Sequence, residues 1–126
     1  MAIKKYLKLD EIRAYKISSG LSLYVWKIIS KWDWFNKNTL GIQFIRAIDS
    51  ISANIAEGFG RYHKKDKQKF YYNSRGSVFE SAHWCKRAYE RSLLRREENE
   101  YVLKRLRELP KEINLLIKYT EIKLTI

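Results

Sequence analysis

Residues 39–61, TLGIQFIRAIDSISANIAEGFGR, decide the fold. Phe44, Ile48, Ile51 and Ile55 recur at steps of four, three and four, the spacing that lays side chains along one face of an α-helix. Gly41, Ile45, Ser52 and Ala56 form an adjacent stripe of mostly small residues, which lets a second helix approach closely. Asn38 or Thr39 offers an N-cap, and Gly58 and Gly60 supply left-handed or open backbone that would stop the helix around Phe59 to Arg61.

The same period extends outward on both sides. Upstream, Asp10 is a good N-cap with Glu11 in the first turn, and Ile12, Tyr15, Ser19, Ser22, Trp26 and Ile29 follow at helical spacing to an end near Lys31. Trp32 to Asn38 breaks the period and is expected to be a loop. Downstream, a third helix is expected from about Asp66, with Phe70, Ser74, Ser77, Ser81, Trp84 and Ala88 on one face and Tyr71, Val78 and Cys85 beside it. A charged stretch from Arg91 to Glu100 then separates it from a last helix carrying Tyr101, Leu103, Leu106, Leu109, Ile113, Leu116 and Ile117. Pro110 should kink or split that helix at Leu109, with the pattern resuming from Ile113 to Leu124.

Four amphipathic segments on short links imply an all-α, antiparallel up-down four-helix bundle. A chain of 126 residues suits a single domain over residues 1–126, and no internal repeat or low-complexity linker divides it. One proline and five glycines are too few for the turns of an all-β fold.

Composition also bounds the function. Cys85 is the only cysteine, so neither an internal disulfide nor a Cys-rich zinc site can form, and a reducing compartment fits. Met1 to Leu9 alternates lysine with apolar residues and does not form an export signal, and no apolar run approaches a membrane span. A cytoplasmic protein without a membrane partner is expected. His63 and His83 fit no helical metal-ligand spacing, so no metal and no cofactor are expected. Glu57-Gly58-Phe59-Gly60-Arg61 has no Walker lysine, and no nucleophile stands beside a base. No catalytic residue can be named, and a non-enzymatic role follows.

Charge supplies the functional signal. The net charge is +12, and +8 of it lies between Arg61 and Arg96. Arg61, Lys64, Lys65, Lys67 and Lys69 are expected on a loop at one end of the bundle, and Lys86, Arg87, Arg91, Arg95 and Arg96 at the far end of the third helix. Two such patches suit the phosphates of RNA or DNA, and Tyr62, Tyr71, Tyr72 and Tyr89 could stack on unpaired bases. An acidic protein partner would satisfy the same charge, as would a merely solvated surface. Arg46, Asn54, Glu57, Arg75 and Glu80 sit beside apolar positions, where unpaired charge is costly, and are expected to pair with one another as a structural polar network.

Arg46-Ala47 to Ser50-Ile51, Asn54-Ile55-Ala56-Glu57-Gly58-Phe59-Gly60-Arg61, Phe70 and Arg75-Gly76-Ser77-Val78-x-Glu80 carry a resemblance to a known group. The chain resembles the four-helix-bundle proteins encoded in intervening sequences of bacterial large-subunit ribosomal RNA genes. Leu109-Pro110 and Leu115-Leu116-Ile117-Lys118 are similar to the same group. That group shares its fold with the accessory variability proteins of diversity-generating retroelements. Ala53, where related sequences often carry proline, and Asn73-Ser74 before Arg75 depart from the pattern. The resemblance implies a homopentameric barrel and a non-enzymatic role. In its most concrete form it implies a nucleic-acid-binding accessory subunit with a reverse transcriptase as protein partner, and in its alternative form a stand-alone protein of the ribosomal intervening-sequence type.

Overall fold

The computed structural model describes residues 7–123. The expectations placed on Met1 to Leu9 and on Leu124 fall partly or wholly outside that span. Among the described residues there are helices and turns and no strand. After a short 3-10 turn at Leu9–Glu11 come α1 (Arg13–Ile29), the brief α2 (Trp34–Asn36), α3 (Ile42–Gly60), α4 (Lys64–Glu90) and α5 (Arg96–Lys123). A π-helical turn, Lys37–Gly41, joins α2 to α3, so residues 34–60 form one helical arm. The bundle is therefore four-helical. α3 packs on α4 and α1, α4 packs on α5, and α5 closes against α1. Links of a few residues reverse the chain between successive helices, as an up-down arrangement requires.

The expected stripe of α3 is the centre of the core: Phe44, Ile48, Ile51 and Ile55 are each 0% exposed. α4 buries small side chains at Ser74, Ser81, Cys85 and Ala88, and Ser74 faces α3. Ser74 donates its hydroxyl hydrogen to the Ile51 carbonyl of α3 at 2.7 Å, so this close seam also satisfies its polar atoms. Tyr71 closes the seam by lying on Gly58, where an added Cβ would sit 2.7 Å from Tyr71 Cε1. That contact corrects the expected role of Gly58. No glycine among the described residues has a positive φ, and Gly58 is buried inside α3 as a place for a ring.

Four more expectations change. α1 buries Ala14, Ile17, Ser18, Leu21, Val25, Ile28 and Ile29, so its inner face is turned away from Trp26, which is 60% exposed. The Trp32 to Asn38 loop shrinks to a turn before Trp34, because the Asp33 carboxylate caps the new helix by accepting the Asn36 N–H at 3.0 Å. Asn38 and Thr39 are not caps. Their side chains donate back to the carbonyls of Trp34 and Phe35, each at 2.7 Å, and occupy acceptors that a regular α-turn would use, inside the widened π turn. Pro110 does not split α5, which runs unbroken to Lys123. Leu106, Leu109 and Ile113 on either side of it are buried in the core, and that packing outweighs the one backbone bond proline cannot make.

The α4–α5 turn ends in a six-to-one, five-to-two pair of bonds. Leu93 N–H reaches the Ala88 carbonyl at 2.9 Å and Ser92 N–H reaches that of Tyr89 at 3.1 Å. Ser92 occupies the left-handed position that glycine usually takes, with φ at 59°.

Candidate nucleic-acid interface

The antiparallel order gathers the basic residues at the two ends of the bundle. At the α3–α4 end only residues 61–63 lie outside helices, so Lys64 to Lys69 belong to the first turns of α4 and not to a loop. This helical phase sorts the cations. Lys65 and Lys69 are exposed and four apart, hence on one face, with no side-chain partner among the described residues. Lys67 turns inward and donates to the carbonyls of Phe59 at 2.7 Å and Gly58 at 3.4 Å, capping the end of α3. Burial holds its ammonium below the ordinary lysine value. Lys64 donates to the Glu121 carbonyl at 3.2 Å. Arg61 pairs with Glu57 at 2.7 Å, and its guanidinium lies 4.7 Å from the centre of the Phe70 ring.

The far end lies about 40 Å away along the 27 residues of α4. Lys86 and Arg91 are exposed and without a side-chain partner among the described residues. Arg87 pairs with Glu90 at 2.7 Å, Arg95 with Glu98 at 3.4 Å and Arg96 with Glu100 at 3.0 Å. Arg87–Glu90 and Arg96–Glu100 are surface pairs along single helices, weak enough for a phosphate to displace.

Sequence reasoning missed two cations here. Lys27 and Lys31, at the end of α1, share with Arg95 a cavity of about 340 Å³ whose aromatic wall is Tyr24 and Trp32. The Trp32 indole N–H anchors that wall on the Leu93 carbonyl at 3.1 Å, and Tyr24 stacks on Tyr101 with ring centres 4.4 Å apart. The antiparallel order would have located both lysines, since it puts the end of α1 beside the start of α5. Trp34 and Phe35 add exposed rings on the short helix just beyond α1. Of the four tyrosines marked for stacking, Tyr62, Tyr72 and Tyr89 are exposed and Tyr71 is buried.

The expected polar network does not form. Arg46, Glu57 and Glu80 are exposed. Asn54 donates to the Ser50 carbonyl of its own helix at 2.8 Å, and Arg75 donates to Asn114 of α5 at 2.8 Å. No hydrogen bond or ion pair among the described residues joins any two of the five. A residue next to a core position on a helix points about 100° away from it, so adjacency to apolar residues placed these side chains outside the core.

Cys85 is buried, and burial pushes its thiol up to about 12, so it stays protonated and unreactive. No group of three or more His, Cys, Asp or Glu residues suited to a metal occurs among the described residues, and no helix there is long and apolar enough to cross a membrane.

A family described as 23S rRNA-intervening sequence protein matches residues 10–115, from the 3-10 turn to the second half of α5. The chain belongs to that family. The match takes in the whole of α1, α3 and α4 and both basic ends of this intervening-sequence family member. No match emerges among curated proteins.

Proposed function

We propose that this intervening-sequence family protein is a non-enzymatic binder of RNA or DNA that holds its ligand through phosphate contacts. The observation that carries the reading is the distribution of uncommitted cations. Lys65 and Lys69 at one end, and Lys86 and Arg91 at the other, face solvent and form no ion pair among the described residues, next to exposed aromatic rings. A ring of five chains is part of the proposal, because repetition raises the effective concentration of each weak patch. A large ribosomal RNA fragment is the natural first ligand, given the family. The narrower role, an accessory subunit of a retroelement reverse transcriptase, needs that enzyme's gene and a template repeat beside this one. A position inside a ribosomal RNA gene favours the stand-alone role.

Salt titration by fluorescence anisotropy tests the binding. Affinity should fall along a log-log slope of about −0.7 per phosphate contact on single strands and −0.9 on duplex. With no base-reading helix, unrelated sequences should bind alike. Replacing Lys65 and Lys69 together with Ala should lower the affinity and flatten the slope, whereas Lys67→Ala should act mainly on stability. Absence of binding at low salt would transfer the charge to the rival role, a scaffold for an acidic protein.

A further inference from the structure

At the α3–α4 end a cavity of about 320 Å³ opens behind the basic surface. Phe59, Tyr71, Leu116 and Tyr119 form an apolar, largely aromatic wall, and Arg61 and Lys67 make its other side positive. The size is at the lower end of small-molecule sites, enough for one planar heterocycle with its sugar.

Tyr71 gives the cavity a direction. It is 2% exposed, and Gly58 lies so close beneath its ring that the ring cannot shift toward α3. Its hydroxyl makes no hydrogen bond among the described residues and is not a fully enclosed atom, as Trp84 Nε1 is, so it is open to the cavity. Burial pushes the phenol up to about 12, so it remains a donor at any physiological pH. A fixed donor with no acceptor, set among aromatic faces, suits a planar ligand that carries nitrogen or oxygen acceptors on its edge. Electrostatics orient the rest of that ligand. Past Leu116 and Tyr119 the adjoining cavity carries Glu112, paired with Arg13 at 3.4 Å, a side on which a phosphate would not lie. Arg61 and Lys67 line the cavity itself, while Lys65 and Lys69 lie on the outward face of α4.

We propose that this cavity takes one unpaired nucleobase of a bound single strand, with an acceptor on the base edge receiving the Tyr71 hydroxyl and the flanking phosphates lying toward Arg61. The proposal rests on the nucleic-acid reading above and adds to it a requirement for unpaired sequence, since a base inside a duplex cannot reach the wall.

The test uses a single-stranded oligoribonucleotide with one 2-aminopurine, the same strand with an abasic site at that position, and a duplex of equal length. Binding should change the 2-aminopurine fluorescence, and the abasic strand should bind more weakly. Tyr71→Phe removes only the hydroxyl and leaves the ring on Gly58. It should weaken the single strand about two- to tenfold, the worth of one hydrogen bond, with the salt slope and the duplex affinity unchanged. Leu116→Trp, which fills the cavity, should abolish the fluorescence change while circular dichroism shows an intact fold. Steep salt-dependent binding with no 2-aminopurine response, or a Tyr71→Phe chain identical to the parent on every strand, overturns base capture and leaves phosphate binding standing. Failure of every strand to bind overturns both.

Discussion

Gly58 and Gly76 have the same side chain and opposite surroundings. A Cβ on Gly58 would meet Tyr71 Cε1 at 2.7 Å, Tyr71 Cδ1 at 2.9 Å and the Lys67 carbonyl at 3.0 Å, whereas one on Gly76 would meet nothing within 4 Å. Gly58→Ala should therefore overpack the α3–α4 seam and cost about 1–3 kcal/mol. Gly76→Ala, on the exposed side of α4, should add about 0.4–1 kcal/mol by restricting the unfolded chain. Urea melts of the two variants measure both signs. Sequence alone does not separate these positions, because the deciding atom of Gly58 belongs to a residue on the next helix. It does place Phe44, Ile48, Ile51 and Ile55, since helical spacing is a local property of the chain and all four occupy the core. The five residues expected to pair show the converse. Their charges are legible, but whether each faces in or out depends on a rotation that neighbouring apolar residues do not specify.

At the scale of elements, helix ends carry most of the surprises. Asp33 starts the second helical arm, and the backbone hydrogen bond from Asn36 holds its carboxyl below the ordinary value of 3.8. A carboxyl lowered in the folded state stabilises fully above its unfolded value and loses that contribution as pH falls through the folded one. Asp33→Ala should lower the melting midpoint at neutral pH, and the gap from the parent should narrow in acid, as pH falls below 3.8 and the parent's cap protonates. Asp33→Asn keeps an acceptor and should recover most of the loss at neutral pH. Thermal melts of the three chains at neutral pH and in acid check this. Asn38 and Thr39 are legible as groups that bond to backbone, but their direction is not: each looks like a cap for the helix after it and serves the turn before it. Pro110 likewise looks like a break in the sequence, because the strength of the packing around it cannot be read from its neighbours along the chain.

For the whole molecule, charge position is the most legible property. Up-down order converts sequence segments into two ends, and the ten basic residues named from the sequence divide between them. The order also leaves large apolar side chains outside: Leu23, Trp34, Phe35, Phe79 and Ile122 are each more than half exposed. Such a surface favours association. Light scattering should show one species near five subunits. A clean 15.2 kDa monomer at micromolar concentration would remove the ring from the proposal and leave each basic end to act alone. Lys27 and Lys31 would still complete one of those ends within a single chain.

The π turn at Lys37–Gly41 has a consequence for chain length. A turn wound with five residues per hydrogen-bonded step amounts to one inserted residue absorbed without breaking the helix. Deleting a single residue there would let residues 34–60 run as plain α-helix, with the segments before and after the deletion still in register. Trp34 and Phe35 would stay on the same side of the bundle, because the residue removed is the one the wide turn absorbs. Relatives one residue shorter in this segment would thus keep the same core and present their aromatic rings in the same direction.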